Sequence, residues 1–228
     1  MYGSNYNPTG APIPPVPFEQ PKSLYRFGEL SLWSTFLFQG ATVLASSVNR
    51  LFTTPRGQVG QGFVQALTLA ETSLKEGGRV PAGVAYDVFG VSAQLLKSPA
   101  PLDGGTLSTP INAAVDVADL VNIQNNGILQ WNFTQTTVDI CPVYLAGSGG
   151  GTGGAIAESN AAAPNTSGNL NNGFGQIWMY RKHPVALPGN STFAIELTFG
   201  SRAAAISANS VAVRVALLGY YKNVIEIG

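Results

Sequence analysis

Few residues in this chain of 228 have the types and spacing that chemistry needs. His183 is the sole histidine and Cys141 the sole cysteine, so a thiolate–imidazole nucleophile could be built in one way only. The surroundings of each argue against it. His183 lies in Tyr180-Arg181-Lys182-His183-Pro184, where two cations and a proline predict an exposed turn after a strand. Cys141 lies in the apolar run Ile140-Cys141-Pro142-Val143, the setting of an inert buried thiol. A single cysteine forms no intrachain disulfide and no Cys/His metal cluster. Gly147 to Gly154 lacks the Gly-Lys-Ser/Thr ending of a phosphate loop and is expected to be a flexible loop. Asp116 and Asp119 share a helix face at i, i+3 spacing; solvated helix charges are expected there rather than a cation site. Asn132, Asn165 and Asn190 head glycosylation-type triplets. These are expected to be unused, because Met1 to Pro17 has neither the basic nor the apolar region of a secretory signal. Trp33, Trp131, Trp178, Tyr220 and Tyr221 could form a sugar-binding platform, yet core or interface packing accounts for them more simply. No catalytic, metal or cofactor residue is assigned.

Composition points the same way. Twelve basic and twelve acidic residues leave a formal net charge of zero, and charged residues make up 11% of the chain, against roughly 25% in an average domain. The basic excess required for phosphate-mediated nucleic-acid binding is missing. A folded monomer of this mass exposes roughly 9,900 Å², or about one charged side chain per 400 Å². Such a surface favours association, which implies that copies or partners cover much of it. No uncharged apolar run reaches 18 residues, so no membrane-spanning helix is expected.

The elements that hold these residues are mostly strands. Residues 1–27, with Pro8, Pro12, Pro14, Pro15, Pro17 and Pro21, are too rich in proline for a sheet interior or helix. They are read as an extended arm, with Ile13, Val16 and Phe18 as apolar teeth for assembly. Strands are expected from Glu29 to Phe38, Ala66 to Thr72, Val84 to Leu96, Ile128 to Thr134, Thr137 to Leu145, Phe174 to Tyr180, Ser191 to Phe199 and Val211 to Tyr221. Ala41 to Phe52 fits a strand or a short helix. Ser108-Thr109-Pro110 is a helix-start signature for a helix ending near Asn125-Asn126-Gly127. Residues 146–175, almost without large apolar side chains, are read as a mobile loop. About eight strands, one short helix and no βαβ rhythm indicate an all-β antiparallel sandwich or barrel occupying residues 28–228.

Three stretches together resemble a known family. Glu71 to Gly83 with the strand Val84 to Leu96, Val138-Asp139-Ile140-Cys141-Pro142-Val143-Tyr144-Leu145-Ala146-Gly147 ahead of a glycine-rich loop, and Pro184 to Leu197 followed by Val211 to Tyr221 are similar to jelly-roll major capsid proteins of tailless icosahedral bacteriophages. The similarity covers about two-thirds of the chain as a pattern of strands and turns. It implies a virion shell subunit, made in the host cytoplasm and resident in the capsid. It also implies self-assembly into an icosahedral lattice with further capsid proteins, over an internal viral membrane. No direct sequence-specific nucleic-acid binding and no enzymatic activity are expected. The double form of that fold needs about sixteen strands; at five to six residues each plus loops, 228 residues hold a single jelly roll. A virion spike or fibre, or a carbohydrate-binding β-sandwich, is the alternative.

Overall fold

A computed structural model describes residues 23–97, 114–133, 136–147, 154–160, 163–170, 177–180, 182–207 and 210–226. Eleven strands occur among them: β1 (Ser23–Phe38), β2 (Val48–Leu51), β3 (Val84–Lys97), β4 (Gly127–Phe133), β5 (Thr136–Pro142), β6 (Gly154–Asn160), β7 (Ala163–Leu170), β8 (Trp178–Met179), β9 (Val185–Leu187), β10 (Phe193–Phe199) and β11 (Val211–Glu226). The described residues hold one α-helix, α1 (Ala114–Asn126), and a 3-10 turn at Val143–Leu145. The protein is all-β, with two antiparallel sheets enclosing a common core.

One sheet runs β1–β11–β3, with β8 and β9 sharing the far edge of β3; the other runs β2–β10–β4–β5. Alternation sets the facing. Val211, Val213, Val215 and Leu217 of β11 and Ile195, Leu197 and Phe199 of β10 point inward and are buried with Leu129 and Trp131 of β4. Helix α1 closes one side of this core through Leu120 and Ile123. In β3 the inward face changes parity, from Tyr86 and Val88 to Val91, Ala93 and Leu95, because the register against β11 shifts between Leu218 and Gly219. This bulge requires Gly219, where a Cβ would lie 2.0 Å from the Asp87 carbonyl oxygen.

The outer face of the five-stranded sheet is covered where β1 ends. Leu37 and Ala212 pack there under Phe63 and Leu67 of the long connection 52–83. Gln61 fastens that connection: its Nε2 donates to Ser34 Oγ at 2.8 Å and to the Thr35 carbonyl at 2.6 Å, and its Oε1 accepts from Thr54 N at 3.2 Å. β1 is therefore buried on both faces from Ser34 to Phe38 except at half-buried Phe36.

Several sequence expectations are corrected. The sequence places the arm at residues 1–27, but Ser23–Phe27 are strand, drawn into the sheet by pairing with Lys222–Glu226. Residues 1–22, with Ile13, Val16 and Phe18, lie outside the described residues. Ala66–Thr72 forms no strand; the buried Glu71 carboxylate accepts from Thr68 N at 2.6 Å and from the Thr68 hydroxyl, which curls the segment into a turn. Leu145 ends a 3-10 turn rather than a strand, since Pro142 removes a ladder donor. In 174–180 the described strand is Trp178–Met179 alone. The open choice at 41–52 resolves to a four-residue strand, β2, and Val185–Leu187 is a strand the pattern did not show. Within 146–175, read as a loop, β6 and β7 pair as an antiparallel two-stranded ribbon. The helix start at Ser108 to Pro110 lies outside the described residues.

Candidate functional site

The residues first considered for chemistry are dispersed. His183 is exposed in the segment between β8 and β9. Cys141 is buried in β5, and burial pushes its thiol up to about 12, so the thiolate is strongly disfavoured. Asp119 does not behave as the expected solvated helix charge: it is buried and accepts from Ser207 N at 3.1 Å and from the Ser207 hydroxyl, fastening α1 to the loop before β11. Among the described residues no three His, Cys, Asp or Glu side chains converge on a metal-sized site. No described helix is long and apolar enough to cross a membrane.

The aromatic residues are also engaged. Trp131 is buried and its Nε1 donates to Tyr180 Oη at 2.6 Å. Burial is the main cause raising the Tyr180 hydroxyl above its ordinary value, so it stays protonated. Trp33 is half-buried and donates to the Leu69 carbonyl at 3.0 Å; Trp178 packs on the core. None of the three tryptophans forms an exposed platform.

Two surface features remain. The first is a cleft of about 500 Å³ beside β1, between the five-stranded sheet and residues 73–81 of the connection 52–83. Along Trp33–Leu37 the edge of β1 is capped by the connection 52–83: Ser73 N donates to the Trp33 carbonyl, Ser34 bridges Thr72, and Leu37 N donates to the Gln61 carbonyl. The connection then turns away toward β10, where Val80 N bonds the Ser191 carbonyl and Phe193 N the Gly78 carbonyl. Among the described residues no strand pairs with the β1 edge from Ser23 to Leu32.

The floor of the cleft is apolar: Leu30, Leu32, Leu74 and Val84, with Tyr86 and Tyr221 as a cross-strand pair. Tyr221 sits on the bare backbone of Gly28, where a Cβ would lie 2.4 Å from its ring. The rim carries Glu29, Lys75, Glu76 and Arg79. Burial, with a smaller push from Glu76, raises the Tyr86 hydroxyl above its ordinary value and keeps it a hydrogen-bond donor. This combination of apolar floor, two hydroxyl-bearing rings and a rim of balanced charge suits an extended, uncharged segment rather than an ion.

The chain matches no family model and no curated protein.

The second feature is an apolar patch on the outer face of the five-stranded sheet. A Cβ on Gly90 would meet Ile177 Cγ2, Met179 Sδ and Leu218 Cβ within 4 Å, so these side chains ring one point; beside them Phe89 and Tyr220 lie 5.5 Å apart. Tyr220 is 53% exposed, Met179 45% and Ile177 40%. The outer face of the other sheet is polar at its centre, with Glu196 held by Arg50 and Asn132, both at 2.8 Å. Sequence reasoning singled out Tyr220 and Tyr221 as aromatics, but missed Tyr86 and the cleft. These depend on strand pairing and on where the connection 52–83 lies against the sheet.

Proposed function

We propose that this chain is a structural shell subunit that self-associates into a closed virion lattice, with a single jelly-roll fold. The observation carrying this reading is the strand order. Eight sequential positions, β1, β2, β3, β4, β5, β8 with β9, β10 and β11, divide between two sheets as first–eighth–third–sixth and second–seventh–fourth–fifth. This order supports reading the two sheets as the interlocked double Greek key of a jelly roll, an arrangement common to capsid and lectin domains. The sequence resemblance selects the capsid member of that pair.

Surface character supports the choice. The exposed patch around Tyr220, together with exposed Val43, Val59 and Val64 on loops, provides apolar area of the kind that protein contacts bury. A lectin reading lacks an exposed tryptophan platform, as Trp131 is buried and Trp33 and Trp178 are half-buried. Shell assembly works through many symmetric contacts, each modest alone, so neither a catalytic constellation nor a cofactor is required.

The test is light scattering coupled to size-exclusion chromatography on the full chain, with negative-stain imaging across salt and protein concentration. Shells, sheets or hexagonal patches of megadalton mass are the expected result. A monomer or small oligomer that never grows, with or without lipid vesicles and co-produced shell proteins, overturns the reading.

A further inference from the structure

We infer that the chain's own segment Pro12–Gln20 folds back on β1, pairs antiparallel with its open edge from Ser23 to Ser31, and lays Ile13 and Pro15 over the cleft. The inference stands apart from the shell reading, because it closes a surface within one chain and involves no second copy.

The edge fixes the geometry. At the capped end of β1, Trp33 N donates to Ser73 Oγ, the Trp33 carbonyl accepts from Ser73 N, and Leu37 N donates to the Gln61 carbonyl, so odd-numbered residues turn their N–H and C=O groups away from β11. The register against β11 is unbroken from Ser23 to Phe38, and Ser23, Tyr25, Phe27, Glu29 and Ser31 therefore present theirs to the open edge. Among the described residues no strand pairs with them. An edge of this length is a template for another chain unless something covers it. Leu30 and Leu32 line the cleft together with Tyr221 and Asn223, which lie opposite Gly28 and Arg26. The cleft thus runs along the edge toward Ser23, the point at which the preceding segment enters.

Length, register and tethering select the chain's own segment. A turn at Pro21-Lys22, with proline at the first central position that it favours, puts Gln20 opposite Ser23. Residues 12–20 then match Ser23 to Ser31 one for one, over about 27 Å at 3.4 Å per step. In this register Gln20, Phe18 and Val16 meet Ser23, Tyr25 and Phe27 at bonding positions, each with an N–H to give. Pro15 and Pro17 fall at the positions whose nitrogens point away from β1, where an edge strand accepts proline. Pro14 and Pro12 take the Glu29 and Ser31 N–H groups on their carbonyls. A slip of one residue moves Pro15 and Pro17 onto bonding positions and breaks the run of three donors. Ile13 comes beside Leu30, and Pro15 beside Gly28, on whose bare backbone the Tyr221 ring sits. The stretch Pro12–Phe18 carries no charge, in keeping with the apolar floor. Joined to β1 through two residues, the segment meets the edge at a roughly millimolar effective concentration, which a free second copy does not reach.

Full-length chains test this directly. Glu29 is exposed and comes opposite Pro14, at the Cα spacing of about 5.5 Å of a bonded antiparallel pair, which is within disulfide reach. The Pro14→Cys/Glu29→Cys double variant is oxidised across a dilution series, the native Cys141 being buried. An internal disulfide is expected, with a yield independent of concentration and at least fivefold above that of Pro14→Cys/Val48→Cys, whose second site is exposed on the other sheet. In parallel, amide hydrogen exchange at Glu29 and Ser31 is followed by mass spectrometry with residue-level fragmentation. Exchange at least tenfold slower in the unmodified chain than in Ile13→Asp, which places a charge against Leu30, is expected. Equal disulfide yields with both second sites, or exchange at Glu29 and Ser31 indifferent to Ile13→Asp, overturns the inference. So does a linked dimer from mixed Pro14→Cys and Glu29→Cys chains when the double variant forms no internal disulfide; that result assigns the edge to a second copy. Shells without the internal disulfide would refute this contact and leave the shell reading standing; the internal disulfide in a chain that never assembles would do the reverse.

Discussion

Replacing Gln61 by Ala should free the connection 52–83 from the sheet without unfolding the sandwich. The side chain makes four hydrogen bonds within the cluster, to Ser34 Oγ and the Thr35 carbonyl and from Thr54 N and the Ser34 hydroxyl. At about 0.5–1.5 kcal/mol each they are worth roughly 2–6 kcal/mol. Water entering the vacated space recovers part of this, so about 2 kcal/mol is expected. The backbone contributes little to the difference, since Gln61 already has a φ of 54° and Ala keeps it there. The core between the sheets does not include residues 53–73, whereas Phe63 and Leu67 belong to the separate outer cluster with Leu37. The loss should therefore appear as local opening. Hydrogen exchange of peptides spanning 53–74 should quicken about thirtyfold, the equivalent of 2 kcal/mol, while β10 and β11 keep their protection. The same opening should loosen the wall of the cleft at Ser73 and Leu74. Unchanged exchange in 53–74, or an equal loss across β10 and β11, would refute the view that Gln61 clamps an independently mobile cover.

Three further outcomes follow from the same structure. The Cys141 thiol, raised to about 12 by burial, should react with a thiol reagent at pH 8 at least a hundredfold more slowly in the folded than in the unfolded chain; rapid labelling of the native protein would revive the nucleophile reading. Because the folded value lies above the unfolded one, this group's contribution is complete below about pH 8.5 and is lost as pH rises toward 12, as a high-pH melting series can check. Gly62→Ala should destabilise well beyond Gly57→Ala: both have φ above 80°, a cost of about 1–2 kcal/mol, but only at Gly62 would the new Cβ lie 1.8 Å from the Leu37 carbonyl oxygen. Equal melting temperatures for the two variants would remove the clash argument. Arg50→Ala should cost under about 1 kcal/mol, since its side chain is 62% exposed, whereas Glu196→Ala, which also releases Asn132 at a buried position, should cost more in chemical denaturation.

Local patterns were legible where burial is one-sided or regular. The alternation of Val211 to Leu217 and of Phe193 to Phe199 matched the strands found there, and the cations and proline around His183 matched an exposed segment. Patterns failed where a side chain outside the period decided the backbone. Leu67 and Leu69 alternate as in a strand, yet Glu71 reaches back to Thr68 and makes a turn. Asp119 carries a charge at an apparently exposed helix position, but Ser207, far along the chain, covers it. The three-residue β9 is too short to show a period at all.

The all-β class, the sparse charge and the fact that any Cys–His pair must be Cys141 with His183 were readable before folding is considered, because composition, period and the presence of one histidine and one cysteine are properties of the chain and need no partner. Only the tertiary structure decided the strand order, the bulge at Gly219 and the cleft between Tyr86 and Tyr221. Those depend on pairings across more than a hundred residues, such as Tyr86 with Tyr221, and on where the connection 52–83 lies against the sheet. Local periodicity fixes which face of a strand is apolar, but carries no information about which strand will lie beside it.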